Sequence, residues 1–63
     1  MKLIKITDPA DKNSTLIFAS LNGKLSPLGN IICECSTEWA AYDAAGNFIN
    51  WFGSKKQALA ALA

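Results

Sequence analysis

The chain contains neither histidine nor arginine. Histidine is the usual general base near neutral pH and the commonest metal ligand, so its absence excludes a serine–histidine–acid triad. Arginine makes the commonest specific contact to a DNA base. The net charge of +1 also creates no strong field that would attract a nucleic acid or an acidic membrane. We therefore predict a protein that is not an enzyme and that uses no cofactor.

Cysteine is scarce as well, since Cys33 and Cys35 are the only two. In one extended strand they would share a face, and a disulfide across a single residue would be strained. Two thiols without a histidine do not complete a closed zinc site. We interpret both as reduced, buried thiols that pack as small apolar side chains, and we predict no metal. A redox or metal-binding role is the alternative.

Long hydrophobic runs are missing too. No apolar segment approaches the roughly 20 residues needed to cross a bilayer. Residues 1–8 interleave lysine with apolar side chains and lack the continuous apolar stretch of a signal peptide. We expect a cytoplasmic protein with no membrane contact, folded as a single small domain over residues 1–63.

Apolar side chains, in contrast, are plentiful. A domain of 63 residues is marginally stable, yet 51% of this chain is hydrophobic. That fraction can fill one core and still leave apolar side chains exposed on the surface. Surplus apolar surface on a small domain is often covered by a partner or by a second copy. We expect a protein partner, with a homodimer as a further possibility.

Apolar side chains in near-alternation predict the strands of an antiparallel sheet. The pair Asn22-Gly23 between two apolar runs is typical of a type I′ hairpin turn. Pro27 and Gly29 predict an irregular segment at 26–30. Strands are predicted at 2–8, at 15–21, from residue 24 onward as a return strand, and at 31–42 with a bend near Thr37. A polar loop is predicted at 8–14.

The stretch 39–63 predicts a tight hairpin followed by a helix. Asp43 to Asn47 fits a three-residue loop in which Gly46 adopts a positive φ. Ser54 and Gln57 form a capping box that begins a helix of about ten residues, too short to be stable without docking on the sheet. The predicted fold is α+β: a mainly antiparallel sheet of about four strands with one C-terminal helix packed on one face.

This hairpin loop predicts the pairing of the aromatic side chains. It places Trp39 opposite Trp51, on the core side with Ile49 and the cysteines, and Tyr42 opposite Phe48 on the other side. Tyrosine is enriched at binding hot spots, although a cross-strand aromatic pair can also simply stabilise its hairpin. The candidate partner-binding residues are Tyr42, Phe48, Glu34, Glu38 and Asn50.

The predicted helix start offers a second candidate site. Ser54, Lys55 and Lys56 lie where free backbone amides can hold a phosphate, although two solvated lysines are the ordinary explanation. The segment 39–63, in which a final strand enters a capped, alanine-rich helix, resembles the hairpin-then-helix portion of sheet-type DNA-binding modules such as integrase arms. It lacks the arginines that those families place on the sheet, so no binding residue is carried over.

The sequence therefore predicts a non-enzymatic protein-interaction module, a small regulator, inhibitor or adaptor. It would bind a protein partner through the sheet face that carries Tyr42 and Phe48. One alternative is a small nucleic-acid-binding module that uses the sheet and the Lys55/Lys56 helix start. Another alternative is a homo-oligomeric structural protein.

Overall fold

A five-stranded antiparallel sheet and one helix form the fold. The computed structural model describes residues 2–63, and its sheet is a simple meander in the order β1-β2-β3-β4-β5. The α+β class and the C-terminal helix are confirmed, with five strands rather than about four. The elements are β1 (Lys2–Asp8), β2 (Asp11–Leu21), β3 (Lys24–Cys35), β4 (Glu38–Asp43), β5 (Phe48–Phe52) and α1 (Lys55–Leu62).

The predicted polar loop at 8–14 is wrong. β1 and β2 are joined by a two-residue turn, and β2 begins already at Asp11. The carboxylate of Asp8 accepts a hydrogen bond from the Ala10 amide at 2.9 Å, and that of Asp11 accepts one from the Asn13 amide at 2.9 Å. These local hydrogen bonds satisfy backbone groups where the pairing between β1 and β2 shifts, so polar residues can begin a strand there.

The turn after β2 follows the prediction. Asn22 has φ of 53° and Gly23 has φ of 80°, which are the two positive angles that a type I′ turn requires. The irregular segment expected at 26–30 is confirmed in part: the pairing with β2 shifts by one residue at Leu28, next to Pro27, but the chain there remains within the continuous strand β3. Proline is tolerated there because β4 pairs with β3 only from Gly29 onward, so Pro27 has a neighbouring strand on one side only.

The single long strand predicted for 31–42 is also wrong, because it is a hairpin. β3 ends at Cys35 and β4 returns from Glu38. A register shift between the cysteines sets Cys33 opposite Trp39 and Cys35 opposite Glu38. Since neighbouring residues of a strand alternate between faces, the two cysteines occupy opposite faces rather than one. Both are free thiols, Cys33 half-buried and Cys35 exposed, so the interpretation of two buried thiols fails for Cys35.

A one-residue irregularity in β5 changes the predicted pairing of the tryptophans. The expected pairing of Tyr42 with Phe48 is confirmed. The pairing then shifts by one residue at Ile49, so that Trp39 lies opposite Phe52 rather than Trp51. Trp51 lies opposite Ala40 on the other face. The expectation that Trp39 and Trp51 share the core is therefore wrong, since Phe52 takes the place assigned to Trp51.

The Ser54 cap at the start of α1 is confirmed, whereas the return hydrogen bond of Gln57 goes to Gly53 rather than to the Ser54 amide of a complete capping box. The Ser54 hydroxyl accepts a hydrogen bond from the Gln57 amide at 3.2 Å, and the Gln57 side-chain oxygen accepts one from the Gly53 amide at 3.2 Å. α1 packs against β3, β4 and β5. The core cluster contains two alanines, Ala41 on the sheet and Ala58 on the helix, and small side chains let the two layers approach closely. The core cluster consists of Ile17, Ile31, Ala41, Ala58 and Leu62, with Leu3, Leu28, Trp39, Phe52 and Leu59 packed against it.

Gly29 gives a direct test of this sheet. Its φ is 144°, and a Cβ at this position would overlap the carbonyl oxygen of Tyr42 on the adjacent strand. We predict that Gly29→Ala lowers the free energy of unfolding by more than about 2 kcal/mol, because such a backbone angle alone costs about 1–3 kcal/mol for other residues. Urea denaturation followed by circular dichroism measures this change.

Gly53→Ala is the matched control for that experiment. A Cβ at Gly53 would meet the Gln57 side-chain oxygen at 3.5 Å, an ordinary contact. The free energy of unfolding should then change by no more than about 0.5 kcal/mol. Equal effects of the two alanine substitutions would contradict the close approach of β3 and β4 at Gly29.

Candidate functional site

The sheet face opposite α1 is the main candidate surface. We call it the open face, since no helix or strand of residues 2–63 lies over it. Ile31 and Ala41 belong to the core beneath α1, so the neighbouring positions along each strand belong to the open face. Cross-strand pairing then assigns to this face the apolar residues Ile4, Ile6, Leu16, Phe18, Leu25, Pro27, Ile32, Ala40, Tyr42, Phe48 and Trp51.

Three aromatic side chains on β4 and β5 form the most distinctive part of the open face. The ring centroids of Tyr42 and Phe48 are 5.6 Å apart at 68°, an edge-to-face arrangement. The centroids of Phe48 and Trp51 are 5.7 Å apart at 59°. Phe48 is 49% exposed and Trp51 is 51% exposed. This aromatic cluster of Tyr42, Phe48 and Trp51 is rigidly held by the sheet yet leaves about half of two large rings in water.

Trp51 is the site residue that the sequence did not reveal. It reaches the open face only because Ile49 is an extra residue in the pairing of β5 with β4. Ile49 itself is 42% exposed. Isoleucine is common at regular strand positions, so the residue type gives no sign of the irregularity. Neither the loop from Asp43 to Asn47 nor the apolar pattern after it marks the shift, so a regular register assigned Trp51 to the core.

The other residues predicted for this surface divide between the two faces. Glu38 lies two positions before Ala40 on β4 and is exposed on the open face. Glu34 is exposed at the register shift of β3, next to that end of the face. Asn50 lies opposite Ala41, on the side of α1, and its side-chain oxygen accepts a hydrogen bond from the Trp51 amide at 2.8 Å. The expected grouping of Asn50 with the aromatic pair is therefore wrong.

Two polar side chains of the open face, Ser14 and Asn30, hydrogen bond to each other. Ser14 is only 3% exposed, and its hydroxyl accepts a hydrogen bond from the Asn30 side-chain amide at 3.3 Å. Within residues 2–63, every buried side-chain nitrogen and oxygen has a partner. The buried polar side-chain atoms of this part of the free protein therefore carry no unmet hydrogen-bond requirement that a binding partner would have to satisfy.

A small cavity opens beside the aromatic cluster. It has a volume of about 190 Å³ and lies between β2, β3 and the loop that joins β4 to β5. Pockets for cofactors and drug-sized ligands are usually about 300–1,000 Å³, so this cavity suits a single inserted side chain better than a small-molecule ligand. Its lining residues are Leu16, Phe18, Pro27, Gly29, Asn30, Asp43, Ala44 and Gly46.

Asp43 holds the loop that borders this cavity. One carboxylate oxygen accepts hydrogen bonds from the amides of Ala45 at 3.0 Å and Asn47 at 2.9 Å. The Asp43 amide donates to the Asn47 carbonyl at 2.9 Å, and its carbonyl accepts from Gly46 at 3.0 Å, with φ of 89° at Gly46 as predicted. The bond from the Asn47 backbone amide is the main reason that the pKa of Asp43 lies below its ordinary value of 3.8, while partial burial acts in the opposite sense.

The second candidate site lies apart from the aromatic cluster. Lys55 and Lys56 are exposed in the first turn of α1, which packs on the other face of the sheet. The Ser54 hydroxyl already accepts a hydrogen bond from the Gln57 amide, as a helix cap. The structure therefore does not bring the helix-start lysines and the exposed aromatic rings onto one surface.

Comparison with protein-family models, curated proteins and solved structures gives no significant match to this chain. In the part of the chain that the structure describes, no three cysteine or acidic side chains come together in a way that could hold a metal ion. Over the same residues, the helix falls short of the length and apolarity that crossing a membrane would require. The open face is therefore the feature of this protein that points to a function.

The low pKa of Asp43 predicts how the stability of the loop depends on pH. A group whose pKa is lower in the folded state contributes stability above its unfolded pKa and loses it as pH falls through the folded value. We predict that Asp43→Asn lowers the melting temperature at pH 7 and that the gap to the wild type shrinks below about pH 4. Thermal unfolding of both proteins between pH 2 and pH 7 measures the gap; a constant gap over this range would contradict the role of the Asp43 charge.

Proposed function

We propose that this protein is a non-enzymatic interaction module that binds a protein partner through the open face. The observation that carries the proposal is the aromatic cluster: three adjacent rings on a rigid sheet, two of them half exposed. Tryptophan and tyrosine are enriched among the few residues that supply most of the binding energy of protein interfaces. Strand pairing already orders the backbone that carries these rings, so little backbone entropy is lost when a partner covers them.

The composition of the whole open face supports the same conclusion. An antiparallel sheet with one solvated face ordinarily alternates apolar side chains toward the core with polar ones toward water. Here the face away from α1 carries aromatic and branched apolar side chains on all five strands. Contiguous apolar surface of this kind usually marks an interaction site.

Charged side chains stand at the margin of this surface rather than at its centre. Glu34 and Glu38 lie at the end of the face where β3 turns into β4. A polar rim around an apolar, aromatic centre is the common arrangement of protein–protein interfaces. The small cavity beside the aromatic cluster adds a recess in which a partner can insert one side chain.

A nucleic-acid function has weaker support. Stacking of bases on aromatic rings is usually combined with a positively charged groove that follows the backbone. Lys55 and Lys56 lie on the helix layer, away from the exposed rings.

A protein without catalytic groups acts by occupying its partner, so the roles that fit are those of a small regulator, inhibitor or adaptor.

The double variant Tyr42→Ala/Phe48→Ala tests this proposal. We predict that it folds but binds its partner at least about 30-fold more weakly, because hot-spot truncations cost about 2 kcal/mol or more. The partner is captured from extracts of the source cell with tagged wild-type protein and identified by mass spectrometry. The dissociation constants are then measured by calorimetry with the purified pair.

Leu21→Ala is the control for that measurement. Leu21 is 60% exposed but lies on the α1 side of the sheet, two positions beyond Ala19 and opposite Lys24. This variant should bind as the wild type does. Unchanged binding by a folded Tyr42→Ala/Phe48→Ala protein would reject the open face as the binding surface.

A further inference from the structure

We infer, on the basis of the proposed function, that the protein covering the open face is a second copy of this chain. In this dimer the two open faces pack against each other about a two-fold axis that runs nearly parallel to β3. The result is a sandwich of two sheets, with the helices on the outside. Three features of the open face support this occupant: its area, its layer structure and the order of its side chains across the sheet.

The first feature is area. A stable protein interface takes about 800 Å² from each partner. The molecule measures 34 × 23 × 19 Å and exposes 4188 Å² in all, so a flat surface across it has about the size that such an interface needs. A second copy is thus large enough to cover the apolar surface of the open face in a single contact.

The second feature is the incomplete layering of the fold. Among residues 2–63, only Ile17 and Ile31 are large side chains that are fully buried in the core under α1. The rings of Phe48 and Trp51 on β5 belong to the other face and remain about half in water. Two antiparallel sheets pack face to face about 10 Å apart with their side chains interdigitated, which buries such rings without any new secondary structure.

The third feature is a single row of side chains that crosses the entire open face. Consecutive cross-strand pairs connect its members. Its two ends are large and exposed, Ile6 at 42% on β1 and Phe48 at 49% on β5. Its members in order are Ile6, Leu16, Asn30, Tyr42 and Phe48.

This row is complementary to itself. A two-fold axis nearly parallel to β3 keeps positions along the strands and exchanges the two sides of the sheet, so β5 of one copy lies over β1 of the other. In a two-fold interface, when residue i contacts residue j, residue j also contacts residue i. Phe48 of each copy then covers Ile6 of the other. The dimer contains this contact twice, so both exposed ends of the row are buried in each copy.

Solution mass tests the inference directly. We expect light scattering and sedimentation equilibrium, from about 1 to 200 μM, to give twice the chain mass of 6.7 kDa for the wild type at the upper end of this range. Phe48→Glu and Ile6→Glu should each leave a monomer, because either one places a charge against an apolar side chain in both halves of the interface. Leu21→Glu, on the other face, should remain dimeric.

A charge pair tests the contact between the two ends of the row. The double variant Ile6→Lys/Phe48→Glu places a lysine opposite a glutamate twice in the dimer, so it should associate at least about tenfold more tightly than the Phe48→Glu or the Ile6→Lys single variant. High salt should weaken this regained association. A double variant that associates no better than the single variants would overturn the row pairing.

The alternative outcomes separate this inference from the proposed function. If the wild-type protein stays monomeric over the whole concentration range, the inference of a dimer is overturned. If a different protein partner is then captured and its binding depends on Tyr42 and Phe48, the proposed function still holds. A dimer unaffected by Phe48→Glu assembles through another surface and also overturns the inference. If circular dichroism shows that the glutamate variants do not fold, Phe48→Ala and Ile6→Ala replace them in the test. Each alanine variant should raise the dimer dissociation constant at least about tenfold.

Discussion

The extra residue at Ile49 determines which side chains of β5 lie beneath α1 and which lie on the open face. It shifts the pairing of β5 with β4 by one position, and a shift of one position in a strand moves its side chains to the opposite face. Phe52 consequently packs beneath α1 beside Trp39, while Trp51 joins the rings on the open face. One local irregularity thus decides both the composition of the core and the chemistry of the exposed surface.

The helix can cover only one face of the sheet, and this has energetic consequences. α1 has eight residues, and it docks through small side chains and a few larger ones on β3, β4 and β5. A helix this short depends on tertiary packing for its stability. The sheet therefore stabilises the helix on one side, while on the other it presents apolar side chains for which a small domain has no internal partner. The proposed binding role follows from this imbalance.

The parts of the fold that the sequence predicted are those in which a few neighbouring residues decide the backbone. Asn22-Gly23 formed the expected turn because positive φ angles are inexpensive for these two residues. Asp43 closes its loop through its own carboxylate, and Ser54 caps its helix. The turn between Cys35 and Glu38 escaped prediction because serine and threonine are weak turn formers. The early start of β2 escaped because its polar residues are stabilised by strand pairing.

For the candidate site, the residues alone predicted the cross-strand pair of Tyr42 and Phe48, the absence of a histidine base and more apolar side chains than one small core needs. The pairing of the strands and the docking of the helix were needed to show that Trp51 joins the pair, that Asn50 leaves it and that the helix-start lysines lie on the other layer. The physical reason is the range of the interactions. Turn and cap chemistry acts within about four residues along the chain. The face that a strand residue occupies depends on its pairing with a neighbouring strand and on where the helix docks.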